Sequence, residues 1–258
     1  MPCGLGHLNL ASMKPKKGYG QFCPISRAAE ILAERWTPLV IRELLCGSVR
    51  FNELQRGVPK MSSSLLSRRL KELEYAGIID RRLRVNGGRG YEYHLTEAGK
   101  ELMPVIMGIG EWAQRWSRDD LTAPENLDSE MLMWDVRRAV LADQFPDDRR
   151  TVVHFDFTDA PSAVRRFWLV FDQGTADLCA KDPGFDVDLY VYAKVRSLVE
   201  NWLGHVPIAK SRKAGDLRLE GSRAQISKFS SWFCLSIMAP AGQERPGKAP
   251  GRRIDAHH

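Results

Sequence analysis

FNELQRGVPKMSSSLLSRRLKELEYAGIIDRRLRVNGGRGYEYHL, residues 51–95, decides the fold. Phe51, Leu54 and Val58 share one face of a short helix, and Gly57 with Pro59 marks a turn. Ser62 is placed to cap a longer helix. At about 100° per residue, Leu66, Leu70 and Leu73 cluster on one side of that helix. Ser64, Ser67, Arg68, Lys71 and Tyr75 lie opposite. Ala76 and Gly77 close it. Ile79, Leu83 and Val85 then alternate with Asp80, Arg82 and Arg84. After the turn Asn86-Gly87-Gly88-Arg89-Gly90, the residues Tyr91, Tyr93 and Leu95 line a return strand. Helix, turn, helix and hairpin is the order of a winged helix-turn-helix. That unit lays one helix in the DNA major groove with a hairpin beside it.

The candidate DNA contacts follow from the polar face. They are Ser62, Ser63, Ser64, Ser67, Arg68, Arg69 and Lys71 on the longer helix, Lys60 in the turn, and Arg84 and Arg89 on the hairpin. Small hydroxyls at a helix N-terminus let the backbone approach phosphate, and an arginine one turn further on reaches guanine edges. A glycine-rich tip presents Arg89 to a minor groove. A solvated surface helix would carry similar residues; the order of the neighbouring elements favours DNA.

The flanking segments brace this unit. In CPISRAAEILAERW the apolar spacing predicts a helix over Ser26–Glu34, capped by Ser26. In WTPLVIRELLCG, Thr37 caps a second helix, Pro38 takes its first position and Gly47 stops it. Leu39, Val40, Leu44 and Leu45 form its buried stripe, with Trp36 as an anchor. Past Thr96, a stripe of Leu102, Val105, Ile106, Ile109, Trp112, Ala113 and Trp116 outruns what one small domain needs. It predicts a helix that pairs with its copy in a homodimer, since paired half-sites need paired readers. The alternative is packing on the second half of the chain.

Composition sets outer limits. The 258 residues are 43% hydrophobic and 27% charged, ordinary for a globular chain. The net charge of +6 is uneven: +3 over residues 1–21, +5 over 22–118, −3 over 119–126, −1 over 127–239 and +2 over 240–258. A basic first half suits a polyanion. The five cysteines (Cys3, Cys23, Cys46, Cys179, Cys234) form no CxxC pair, which argues against a disulfide framework or a zinc site. No run has the length of a membrane span, and residues 1–21 lack a secretory pattern. A cytoplasmic, nucleoid-associated protein without membrane contact, metal or cofactor is expected.

The second half reads as an α+β domain. A helix runs through Met131, Leu132, Trp134, Val136, Ala139 and Val140 toward Phe145. TVVHFDFTD, RRFWLVFDQG, TADLCAKDPG and FDVDLYVYA follow as four strands in a meander, with Val153, Phe155 and Phe157 on one face and Phe167, Leu169 and Phe171 likewise. Then come a helix in KVRSLVENWLG, a short helix near Pro207, a strand at Leu217–Leu219 and a helix over Ser222–Trp232. The expected organisation is a flexible basic arm (1–21), a DNA-binding and dimerisation domain (22–118), a linker (119–126), the α+β domain (127–238) and a disordered tail (239–258). No catalytic constellation is present, so an enzyme is not expected.

The runs CPISRAAEILAERWTPLVIRELLCG, RFNEL, MSSSLLSRRLKELEYAGIIDRR and YEYHLTEAG, in that order over roughly residues 22–116, resemble the HxlR-type winged helix-turn-helix regulators. The resemblance implies a bacterial or archaeal homodimeric transcription factor, with the helix from Ser62 as reader and residues 79–95 as wing. The NGGRG tip departs from the bulkier or proline-containing tips of many members. Some members sense oxidants or electrophiles through a cysteine before the first helix, where this chain has Cys23, and a helix N-terminus favours thiolate. The run VDLYVYAKVRSLVENWLGHVPIAKSRKAGDLRLEGSRAQISKF resembles sterol-carrier-type domains. That resemblance implies an apolar tunnel, with Phe155, Phe157, Trp168, Trp202 and Phe229 as candidate lining and a hydrophobic small molecule as effector; the alternative is that these aromatics are packed core and the tunnel is closed. The alternative readings are a redox regulator acting through Cys23 and, in another class, a non-enzymatic hydrophobic-ligand carrier with a protein-docking first half.

Overall fold

A computed structural model describes residues 18–84, 90–145 and 149–242. The first half is built from α1 (Pro24–Leu32), α2 (Thr37–Leu45), α3 (Phe51–Gly57), α4 (Ser63–Tyr75), the antiparallel hairpin β1 (Ile79–Leu83) and β2 (Tyr91–Leu95), α5 (Glu97–Lys100) and α6 (Met103–Trp116). Leu66, Leu70 and Leu73 of α4 are fully buried with Val40, Ile41, Leu54 and Ile79. Each such leucine contributes about 2 kcal/mol of burial. The hairpin is tied back by Tyr93 N donating to Val49 O at 2.8 Å, which fixes the wing against the strand-like residues before α3.

Local differences from the sequence reading have simple causes. Pro24 opens α1, so Cys23 is its N-cap, and Ser26 falls inside the first turn with its hydroxyl donating to Cys23 O at 2.7 Å. Trp36, in the left-handed region at φ 77°, is the N-cap of α2, and Thr37 and Pro38 start the helix; Thr37 does not cap. Ile41 replaces Leu39 in the buried stripe of α2, and Leu39 is exposed. The single helix expected after Thr96 is two, because α6 restarts around Pro104.

The second half contains α7 (Arg118–Leu121), α8 (Ser129–Ala139), β3 (Thr151–Phe157), β4 (Arg166–Asp172), β5 (Thr175–Cys179), β6 (Leu189–Ala193), α9 (Val195–Trp202), α10 (Ile208–Lys213), β7 (Leu217–Gly221) and α11 (Arg223–Trp232). The strands form one sheet in the order β5-β4-β3-β6-β7. The expected meander stops at β5. β6 crosses back to lie parallel to β3, pairing Val153 with Leu189 and Phe155 with Val191. This makes β3 the central strand, which explains why all seven of its residues are buried. Phe155, Phe157, Phe167, Leu169 and Phe171 meet α8, α9 and α11 in one core. Residues 119–126, read as a linker, hold most of α7 and a 3-10 turn, with Asn126 donating to Asp120 O at 2.8 Å. Ala239–Gly242, read as the start of a disordered tail, form a 3-10 turn packed on α6; residues 243–258 lie outside the described residues, as do 1–17 of the expected arm. Among the described residues no helix is long and apolar enough to cross a membrane.

Candidate nucleic-acid interface

The turn between α3 and α4 is held from inside. The Gln55 amide donates to Val58 O at 3.3 Å and to Met61 O at 2.7 Å, and Met61 is buried beneath it. Gly57 ends α3 against the Glu43 carboxyl: a Cβ there would lie 1.9 Å from it, so only glycine fits. Arg42 donates to Gly57 O at 3.0 Å. Ser62 caps α4, its hydroxyl accepting from Leu65 N at 3.3 Å and pairing with the Ser64 hydroxyl at 3.2 Å.

Lys60, Ser62, Ser63, Ser64, Arg68 and Lys71 are all exposed, and Ser67 is half-buried beside them. The Arg68 side chain is 63% exposed and, among the described residues, pairs with a distant Glu72 carboxylate at 4.0 Å. Such surface pairs are worth about 0–1 kcal/mol, so the guanidinium is available to a stronger acceptor. Arg69 is the correction. Its side chain is 5% exposed, and it pairs with Glu34 at 2.7 Å, with Glu72, and with Arg35 O at 3.2 Å. It fastens α4 to the α1–α2 connection and cannot also reach DNA. A helical-wheel reading missed this because position 69 lies at the edge of the leucine face. Arg84 is half-buried and lies 3.8 Å from Glu92. Arg89 lies outside the described residues. His94 on the wing pairs with Glu92 at 3.3 Å, and no group of three metal-ligating side chains occurs among the described residues.

A buried charge cluster links the reading unit to the second half. Glu43 is fully buried, yet it accepts from the Trp134 indole at 3.2 Å, from Arg138 at 2.7 Å and from Arg42 at 2.6 Å. Burial pushes its carboxyl up, but Arg42 and Arg138 together outweigh that and hold it below the ordinary carboxylate value. Burial pushes neighbouring Asp135 up, against the pull of Arg42 and Arg138. Burial lowers Arg138, but its bond to Glu43 and the acids around it leave it raised. The sequence carried a faint sign of this: Glu43 interrupts the apolar run LVIRELL on the buried side of α2.

The structure divides α6 between three surroundings. Ile106, read as a dimer residue, is buried in the core of its own domain, and Leu102 packs against that core. Gly110 and Gln114 face the second half: Met238 packs on the glycine, and the Gln114 amide donates to Leu203 O at 3.1 Å. Val105, Ile109, Trp112 and Trp116, at steps of four and three, remain exposed, with Ala113 half-buried beside them. Phe22 and Ile25, beside the half-buried free thiol of Cys23 at the start of α1, are exposed as well.

The five residues read as tunnel lining do not enclose a tunnel. Phe155, Phe157, Trp202 and Phe229 are packed in the core, where Phe229 stacks on Phe233 with ring centroids 5.2 Å apart. Trp168 lies on the opposite face of the sheet with Val152 and Val170. Strand alternation already implied that split, since Phe167 and Trp168 are adjacent.

The profile of the HxlR-like helix-turn-helix family matches residues 31–120. Over 97 residues the chain is 40% identical to the HTH-type transcriptional regulator YvaP of Bacillus subtilis (strain 168), across 37% of this chain and 90% of that protein. An HTH-type transcriptional regulator of Methanothermobacter thermautotrophicus is 34% identical over 94 residues, 36% of this chain and 72% of that protein. The solved structure of quinone-bound YodB from B. subtilis is 35% identical and covers 36% of this chain and 99% of that one, at a TM-score of 0.32.

Proposed function

The chain belongs to the HxlR-like helix-turn-helix family of transcriptional regulators, and from that premise we propose a homodimer that reads double-stranded DNA through α4 and answers to a small molecule. The observation that carries the DNA reading is the two-sidedness of α4. Leu66, Leu70 and Leu73 are sealed inward, while Ser62, Ser63, Ser64, Arg68 and Lys71 stand exposed with Lys60 beside them. Hydroxyls at the capped N-terminus suit phosphate, and Arg68 one turn further suits a guanine edge. The exposed stripe Val105, Ile109, Trp112 and Trp116 supports the dimer, because a contiguous apolar patch of that kind marks an interaction surface.

Regulation enters through the second half. Its α8 touches α3 and grips Glu43, so a change in that domain is felt directly at the turn before α4. The test is retention of genomic fragments by the purified chain, followed by a salt titration. Affinity falls steeply with salt if phosphates supply most of the binding. Retention of no fragment overturns the reading.

A second reading has its own observation. Cys23 is a free, half-buried thiol at the N-cap of α1, beside the exposed Phe22 and Ile25. Its modification would alter that surface. On this reading diamide changes DNA affinity in the parent chain and not in Cys23→Ser; an equal response in both rules it out.

A further inference from the structure

A cavity of about 350 Å³ opens at the seam between the two halves. One wall is the end of α3, with Gln55 and Arg56. The other is the second domain, with Glu130 and Trp134 of α8, Phe167 of β4 and Leu178 of β5. That volume lies within the range of small-molecule sites, about 300–1,000 Å³.

The lining is chemically specific. Arg56 is exposed and has no ion pair among the described residues; its guanidinium stands 5.6 Å from the centre of the Trp134 ring. Trp134, Phe167 and Leu178 supply an apolar wall. Two acceptors are left over. Gln55 spends its amide nitrogen on Val58 O and Met61 O, which fixes its orientation and leaves Oε1 buried without a partner. The Glu130 carboxylate is exposed at the cavity.

We propose that this seam cavity is the effector site and that it takes a small aromatic carboxylate bearing a hydroxyl or amine. The carboxylate pairs with Arg56, and the ring packs against Trp134 and Leu178. The hydroxyl or amine donates to the exposed Glu130 carboxylate. This rests on the reading that a small molecule controls DNA binding, and it moves the effector from the domain core to the seam. It also supplies the coupling. Gln55 lines the cavity and is the strut of the turn between α3 and α4, so a ligand packed beside it acts one residue contact away from α4.

The test uses the full chain, calorimetry with benzoate, 4-hydroxybenzoate, 4-aminobenzoate and 4-hydroxybenzyl alcohol, and DNA-binding measurements on a retained genomic fragment. Arg56→Gln removes the cation at an exposed position. Ala180→Trp fills the cavity from an exposed lining position outside the DNA-reading surface. The expected result is tightest binding by the hydroxy- or amino-carboxylates. Binding is about tenfold weaker for the alcohol and in Arg56→Gln, and is lost in Ala180→Trp. Saturating 4-hydroxybenzoate shifts DNA affinity by about fivefold or more in the parent and not in Ala180→Trp. The proposal is overturned if no carboxylate binds, if both variants bind as the parent does, or if saturation leaves DNA affinity unchanged. In each case continued DNA retention shows that the regulator reading survives. Retention of no DNA removes that reading and the effector role with it.

Discussion

Replacing Glu43 with glutamine keeps the shape of the side chain and removes its charge from the centre of the contact between the two halves. In the parent, that carboxylate is fully buried and accepts from Trp134, Arg138 and Arg42. Removing one partner of a buried charge pair costs about 3–5 kcal/mol, because the other charge is left without compensation. Arg138 keeps Asp135 as a second partner, which places the expected loss near the low end, about 3 kcal/mol. The assay is urea unfolding followed by tryptophan fluorescence, with a double-mutant cycle between Glu43→Gln and Arg138→Gln. A coupling of about 1 kcal/mol or more between the two is expected, since they touch.

The pH dependence has a definite sign. The Glu43 carboxyl is held below its ordinary value of 4.5, so its stabilisation is present above that value and is lost as pH falls through the lower folded value. Asp135 is raised and acts oppositely: its contribution favours folding at low pH and fades as pH rises through its folded value. The gap in stability between the parent and Glu43→Gln should therefore narrow below about pH 4.5. Additive losses in the cycle, or a gap that is independent of pH, would refute the view that this cluster joins the halves.

Neighbouring arginines separate reading from folding. Arg68→Ala should cost about 1–3 kcal/mol of binding to a specific site with little loss of stability. Arg69→Ala should instead lower the urea midpoint, by roughly 1.5–3 kcal/mol of stability, because it removes a buried guanidinium that ties α4 to Glu34 and Glu72. Gly57→Ala should destabilise by more than about 1 kcal/mol in the same urea assay, since its methyl would overlap the Glu43 carboxyl. Trp112, 57% exposed on α6, is expected at the dimer surface. Trp112→Asp should give a monomer in sedimentation velocity and weaken DNA binding, with circular dichroism unchanged.

The reading unit was legible because its signals are local. The leucine period of α4, the Ser62 cap and the alternation of the wing each act over a few residues. What the sequence hid was non-local. Arg69 and Arg68 are adjacent and chemically identical, and only the position of Glu34 across the fold separates a buried fastener from an exposed guanidinium. Of the aromatics expected to line a tunnel, Phe155, Phe157, Trp202 and Phe229 lie in a packed core and Trp168 lies on the other face of the sheet. The crossover that sets β6 beside β3 depends on pairing between distant segments that no single period records. The role of Glu43 depends on Trp134 and Arg138 of α8, more than ninety positions along the chain, and no local pattern in α2 records it.

Whether the exposed face of α4 reads DNA is decided by fluorescence anisotropy of a fragment retained from genomic DNA, with the parent and Arg68→Ala compared across a salt series. Sequence-selective binding that weakens steeply with salt is expected, with a selectivity that drops in Arg68→Ala while its nonspecific affinity changes little. Equal affinity of both proteins for specific and unrelated DNA at every salt concentration would contradict it.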